Sequence, residues 1–318
     1  MHAWHTATLG SICALALTIE PALAARNAKP VAGAARGWLS PAAAQATELL
    51  YVADVADNAV LIYDANAHNP APLGSITSGI DEPDGLTIDA AGTLFVANAG
   101  NNTVTTYRHG SLVVANTYRQ GLSGPTDVAV GSDGTLYVSN NHSGTDGFVL
   151  EYPPHGFSPN RTIADFPHRG VPNDVALDRS GNLYVSYGVR GPGVFSHVNE
   201  YAPHSSTPEP LGMIFDFAAG MTFDASGDLL VCDEPYQAVE VFKPRHRNPF
   251  EDITAGFGEP VMPAFNARHD RLYVSDVTGK AVHVFAYPSA HPIGKISNGF
   301  TQPLGIALFA KSVAGSIR

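Results

Sequence analysis

Short runs in which apolar residues alternate with small or polar ones recur along this chain. The clearest runs from Pro172 to Tyr187 and reads PNDVALDRSGNLYVSY. Val175 and Leu177 flank the small Ala176, a period of two that suits a half-buried strand. Asp178, Arg179, Ser180 and Gly181 then supply a turn, because Asp bonds its own backbone and Gly accepts positive φ. Leu183, Tyr184 and Val185 resume with residues that fit a pleated surface. The stretch predicts a tight β-hairpin.

The same phrase returns at other places. Pro83 opens PDGLTIDAAGTLFVAN, Pro125 opens PTDVAVGSDGTLYVSN, and Ala218 opens AAGMTFDASGDLLVCD. Pro260 opens a degraded copy, PVMPAFNARHDRLYVSD. Pro303 opens PLGIALF, a first strand with no second, and Leu50 opens LYVAD, a second strand with no first. The second-strand leucines are Leu50, Leu94, Leu136, Leu183, Leu229 and Leu272, spaced by 44, 42, 47, 46 and 43 residues. Four-stranded propeller blades repeat at about 40–50 residues. The two orphan strands complete one another across the termini, so the expected fold is all-β: a six-bladed β-propeller closed by its C-terminal strand. Such closure leaves only short, protected sheet edges.

In each blade the strands are expected in the order a to d from the axis outward. Strand a is the GLTID type and strand b the LYVAD type. Strand c reads AVLIYDA, TVTTYRH, GFVLEYP, HVNEYAP, AVEVFKP and AVHVFAY; strand d is less regular, LGMIFDF in blade four among others. The pattern of LYVAD, an Asn four residues on and a Tyr in the next strand resembles NHL-repeat six-bladed propellers over residues 48–309. Asp54 with Asn58, and Asn98 with Asn102, match that family's paired positions, and the resemblance implies that they brace the turn between strands b and c. Asp233 with Gln237 and Asp276 with Lys280 are drifted versions. The family includes enzymes, receptor ectodomains and interaction modules, so the resemblance fixes a fold and leaves activity open.

Propeller sites sit where the inner strands begin. Aligning the repeats puts Leu304, Asp84, Thr126, Asn173, Ala219 and Val261 there, followed by Gly305, Gly85, Asp127, Asp174, Gly220 and Met262. Polar groups crowd blades two, three and four. Asp84, Asp127, Asn173 and Asp174 offer the oxygen ligands that Ca²⁺ or another divalent cation prefers. The same side chains also read as caps for backbone amides at the start of a strand. Asn173-Asp174 after Pro172 is similar to an element of the gluconolactonase and senescence-marker propellers, where such an Asn helps hold the catalytic ion. That family's early Glu ligand has no clear counterpart; Asp233 or Glu234 is the channel-side acid to take its place, or the DEP sequence is simply a turn.

Two b–c loops are long, Asn140 to Gly147 and Tyr187 to His197, and loops on a rigid scaffold carry function. Asn140, Asn141, Arg190, Asp233 and Glu234 are therefore candidate ligand contacts. His142 and His168 are candidate general bases, or plain loop histidines. The sequence has no G-x-S-x-G, P-loop, GxGxxG or HExxH motif.

Net charge is −11, which disfavours nucleic acid, whose affinity comes largely from Lys and Arg. Leu9 to Leu17 is a short apolar core, and Ala22-Leu23-Ala24 offers a cleavage site. Residues 1–24 are thus expected to be a secretory signal and 25–47 an Ala-rich linker. Residues 48–309 form the propeller and 310–318 a tail. The expected product is a secreted or periplasmic monomer with no membrane span after signal removal. Cys232 would be its sole thiol, inert in a strand. Two functions remain open. One is a binding or scaffold module for an unknown protein, carbohydrate or small molecule; the other is a divalent-metal hydrolase of lactonase type.

Overall fold

The computed structural model describes residues 37–141, 147–165, 170–188, 195–254 and 256–311. They form six antiparallel sheets, five of four strands and one of five. The innermost strands are Pro303–Ala310, Pro83–Ile88, Pro125–Val130, Val171–Leu177, Ala218–Phe223 and Pro260–Phe265, and they touch in cyclic order around one axis. The molecule is a six-bladed β-propeller. Its ring closes where Pro303–Ala310 pairs with Glu48–Asp54, with Leu50 opposite Leu308 and Val52 opposite Ile306. Ile306 is 3 % exposed, and burying a side chain of that size contributes roughly 2 kcal/mol.

The period of two in each second strand now has a cause. In Leu50–Ala53 all four side chains are buried, but they face different neighbours. Leu50 and Val52 pack on Tyr273, Val282 and Val284 of blade six. Tyr51 and Ala53 pack on Leu86, Leu94 and Val96 of blade two. Each blade is therefore apolar on both faces, and every core lies between blades.

The repeated Asp and Asn at the end of strand b hold the loop that leads into the inner strand. Asp54 accepts the Thr301 and Gln302 amides at 2.7 and 3.0 Å. Asn98 accepts Asp81 N, Asn140 accepts Ser123 N, and Asp233 accepts Asp216 N and Phe217 N. The residue four further on has left-handed φ in blades one, two, five and six: Asn58 +50°, Asn102 +56°, Gln237 +58° and Lys280 +46°. Asn tolerates that region best. From there Asn58 and Asn102 accept the Glu82 and Gly124 amides of the following blade. The paired positions thus tie blade to blade, beyond bracing their own turn. The strand-c tyrosines add a second tie, Tyr63, Tyr107 and Tyr152 each donating a hydroxyl to a lead-in carbonyl.

Three local expectations change. Within the stretch read as linker, Trp38–Leu39 pairs with Gly74–Ser75 as a fifth strand of blade one, and Pro41–Ala44 is a 3-10 turn capped by Ser40. A two-residue strand is too short to show a period. At the other end Ala310, placed in the tail, still belongs to the closing strand and pairs with Glu48. In blade four the outer strand is Glu209–Pro210, with one further bridge from Phe215 to Ser196, instead of a continuous LGMIFDF strand. The burial alternation there is real, Met213 and Phe215 in and Ile214 out, without a full ladder.

Candidate functional site

Pairing between strands a and b slips by a bulge at the start of the inner strand in every blade. A bulge bends the strand and re-aims its side chains. Here it turns the first inner-strand residues toward the axis. All six predicted positions, Leu304, Asp84, Thr126, Asn173, Ala219 and Val261, line one cavity of about 100 Å³. Asp127, Asp174, Gly220 and Met262 from the following register also line it, with Glu234 from the b–c turn of blade five.

Asp127 and Asp174 are 4 % and 2 % exposed. Each crosses to the next blade: Asp127 Oδ2 accepts Val175 N at 3.2 Å, and Asp174 Oδ1 accepts Met221 N at 3.1 Å. Ser139 supports this layer, accepting the Asp127 amide at 2.8 Å and pairing with the Thr126 hydroxyl at 2.8 Å. Asn173 Nδ2 donates to Ala218 O at 3.1 Å. Room for the Asp127 carboxyl exists because Gly85 has no side chain. A Cβ there would collide with Asp127 Oδ1.

The electrostatics follow from this crowding. Burial pushes the Asp127 carboxyl up to about 7, against the opposing pull of its amide donors. Burial, and then the Asp127 charge, push Asp174 well above the carboxylate range. The two carboxyls hydrogen bond to each other only through a shared proton. Apart from that shared proton, no donor among the described residues reaches Asp174 Oδ2. Burial, then Glu259 and Asp84, push Glu234 up to about 8.

The predicted site residues divide. Asp84, Asp127, Asn173, Asp174 and Glu234 meet at the cavity. Asn140 and Asp233 do not line it, because their side chains brace the lead-in loops of blades three and five. Asn141 is 6 % exposed and holds Gly124 O through its amide, and it too is absent from the lining. His142, His168 and Arg190 lie outside the described residues. The metal expectation does not fit this geometry. Among the described residues no three His, Cys, Asp or Glu side chains converge as a metal would need. One oxygen each of Asp127 and Asp174 accepts a backbone amide.

Sequence reasoning missed Glu82, Phe217 and Gln302, which line the same cavity. All three stand one residue before the inner strand, where the repeat was taken to start. Glu82 reaches its place through a left-handed φ of +47°. Cys232 is a fully buried free thiol, and burial pushes it well up.

The fold and the axial cavity define a six-bladed propeller with an acidic hub. A sequence profile of the SMP-30/gluconolactonase/LRE-like region matches residues 41–142, about a third of the chain. No curated protein matches in sequence. Among solved structures, the chain is similar to one in a nidogen/laminin complex (TM-score 0.68, 16 % identity, covering 83 % of this chain and 99 % of that one). It is also similar to a chain of Kuenenia stuttgartiensis hydrazine synthase (TM-score 0.59, 13 % identity, 83 % and 92 % covered). A third is catalytically inactive virginiamycin B lyase from Staphylococcus aureus with quinupristin (TM-score 0.56, 10 % identity, 82 % and 88 % covered). At these identities the likeness shows the fold alone. Among the described residues no helix is long and apolar enough to cross a membrane.

Proposed function

We propose that this protein is an exported binding module whose hub cavity takes a small ligand or a side chain of a larger partner. The observation that carries the reading is the one cavity to which all six inner-strand starts contribute, lined by carboxyl and by apolar side chains. Braces, cross-blade amide bonds and ring closure hold the strands that line it. Export rests on the apolar segment Leu9 to Leu17 followed by Ala22-Leu23-Ala24. A mature N-terminus at Ala25, read by mass spectrometry of the exported product, is its test.

A Leu304→Trp variant puts an indole into the mouth. A panel of saccharides, amines and organic acids is screened by melting shift on both forms. A ligand that stabilises the parent and not the plugged variant supports the hub site. Shifts equal in both forms place binding elsewhere and overturn it.

The profile match over residues 41–142 favours a second reading, a lactonase-like hydrolase. Its test is melting after chelation, with and without Ca²⁺, Mg²⁺ or Mn²⁺, followed by lactone hydrolysis. A metal-dependent shift together with turnover would favour it over the binding module.

A further inference from the structure

We propose that the outer loops dock this propeller onto an anionic lipid surface. That surface is separate from the hub, and the inference goes beyond the reading of the hub as a binding site. The connections between strands c and d are residues 65–73, 108–113, 153–160, 202–208, 243–250 and 287–290. Strand c pairs antiparallel with strand b in every blade, so all six leave the strand end opposite the b–c turns. Five of them carry one histidine each, His68, His109, His155, His204 and His246, and His291 opens the outer strand of blade six. All six are exposed. They hold equivalent places in the turn. His155 and His204 themselves have left-handed φ, and the other four stand next to a left-handed residue: Asn69, Gly110, Arg245 and Ala290.

The chain has 29 Asp and Glu, yet none stands in these six connections. The net charge of −11 is therefore carried elsewhere. Arg108, Lys243, Arg245 and Arg247 lie in the connections, although Lys243 pairs with Asp228 and Arg245 with Glu209. Imidazole is the side chain whose charge changes between pH 5 and 8, so acid makes this periphery cationic. The charged groups facing the six are few. Lys311 stands by His109, Asp133 by His204, and Arg245 and Arg247 flank His246. Among the described residues no ion pair holds His68, His155 or His291. Burial, then Lys311, lowers His109.

Apolar side chains favour a bilayer over a soluble polyanion. Val113, Phe157 and Phe250 are exposed within the same connections, and Ile293 lies two residues beyond His291. A nucleic acid needs only the charges. A lipid interface takes up apolar side chains as well, and binding there sums apolar area with attraction to anionic headgroups. Contacts fixed on one rigid ring also act together.

Flotation of the mature chain with vesicles tests this at low salt, at about pH 5.5 and about pH 7.5. The vesicles are phosphatidylcholine alone or with an equal part of phosphatidylglycerol, and poly(U) RNA is a parallel arm. Binding is expected to the mixed vesicles only, at least about tenfold tighter in acid, and weakened by salt. The combined variant His68→Asn, His109→Asn, His155→Asn, His204→Asn, His246→Asn and His291→Asn should lose the acid gain, and Asn accepts the left-handed backbone. Val113→Ser with Ile293→Ser should weaken vesicle binding severalfold. Arg108→Gln with Arg247→Gln should weaken it too, and serves if the sixfold variant does not fold. Leu304→Trp should change nothing.

Equal binding to phosphatidylcholine alone, no binding to the mixed vesicles, or an acid gain that survives in the folded sixfold variant overturns the proposal. Poly(U) bound as tightly as the vesicles, with Val113→Ser and Ile293→Ser without effect, assigns the loops to a polyanion and also overturns it. Loss of vesicle binding on Leu304→Trp would place the contact at the hub and overturn it. Failure of the hub reading leaves these outcomes untouched, because none of the loop variants lines that cavity.

Discussion

Asp276 and Asp174 are both buried aspartates, 1 % and 2 % exposed, yet the propeller treats them oppositely. Asp276, in the rim brace of blade six, accepts the amides of Gly258, Glu259 and Gly279 at 2.8–2.9 Å and faces His283 Nε2 at 3.1 Å. Burial alone would raise it, but His283 and those amides hold it well below the carboxylate range. Asp174, in the hub, has one amide and a second carboxyl as neighbours, and is pushed well up. The number of donors, more than depth, separates a carboxylate that holds the fold from one left for something else. Asp54 and Asp233 show what His283 adds: each accepts two lead-in amides, Asp54 a third from Asp57 N, and burial still raises them.

The largest effect is expected at the rim. Asp276→Ala strips three amides and His283 of their acceptor and should cost about 4 kcal/mol, read by urea unfolding. A cost under about 1 kcal/mol would show that the braces are dispensable. Gly85→Ala should come next, at about 2 kcal/mol, since the new Cβ must displace the Asp127 carboxyl. A neutral Gly85→Ala would mean that Asp127 is not held against blade two.

pH separates the two regions by sign. Asp276 is lowered in the folded state, so the unfolded chain takes up its proton first as pH falls. Its contribution is complete above the ordinary value of 3.8 and is lost as pH drops through the folded value. The hub pair is raised, so the unfolded chain ionises first as pH climbs. Stability should fall as pH rises from the ordinary 3.8 through about 7 for Asp127, and go on falling until Asp174, which is raised as well, has also ionised. Asp174→Asn removes part of that penalty, and above pH 7 should leave the protein equal to or about 1 kcal/mol more stable than the parent. Destabilisation by Asp174→Asn that is independent of pH would place Asp174 with the rim braces.

Much of this was readable from the chain. The orphan strands at Leu50 and Pro303 announced closure, and aligning the repeats identified the residues that meet at the hub. What the alignment could not show is what lies across a blade boundary. Asp127 and Asp174 look like local caps within their own repeat. Their partners, Val175 and Met221, are 48 and 47 residues away. The same blindness made Asn140 and Asp233 look like ligand contacts when they are braces. Glu82 escaped because it precedes the proline taken as the start of the phrase, and only the left-handed backbone brings it inward.

The account stands on the claim that the hub carboxyls are short of donors while the rim carboxylates are saturated. Carboxyl ¹³C NMR titration of the folded chain, with Asp127, Asp174 and Asp276 assigned by Asn substitution, tests it directly. The prediction is a coupled hub pair whose first transition lies near 7, and an Asp276 resonance still ionised well below the ordinary 3.8. Hub transitions at ordinary carboxylate values, or an Asp276 that titrates with them, would contradict it.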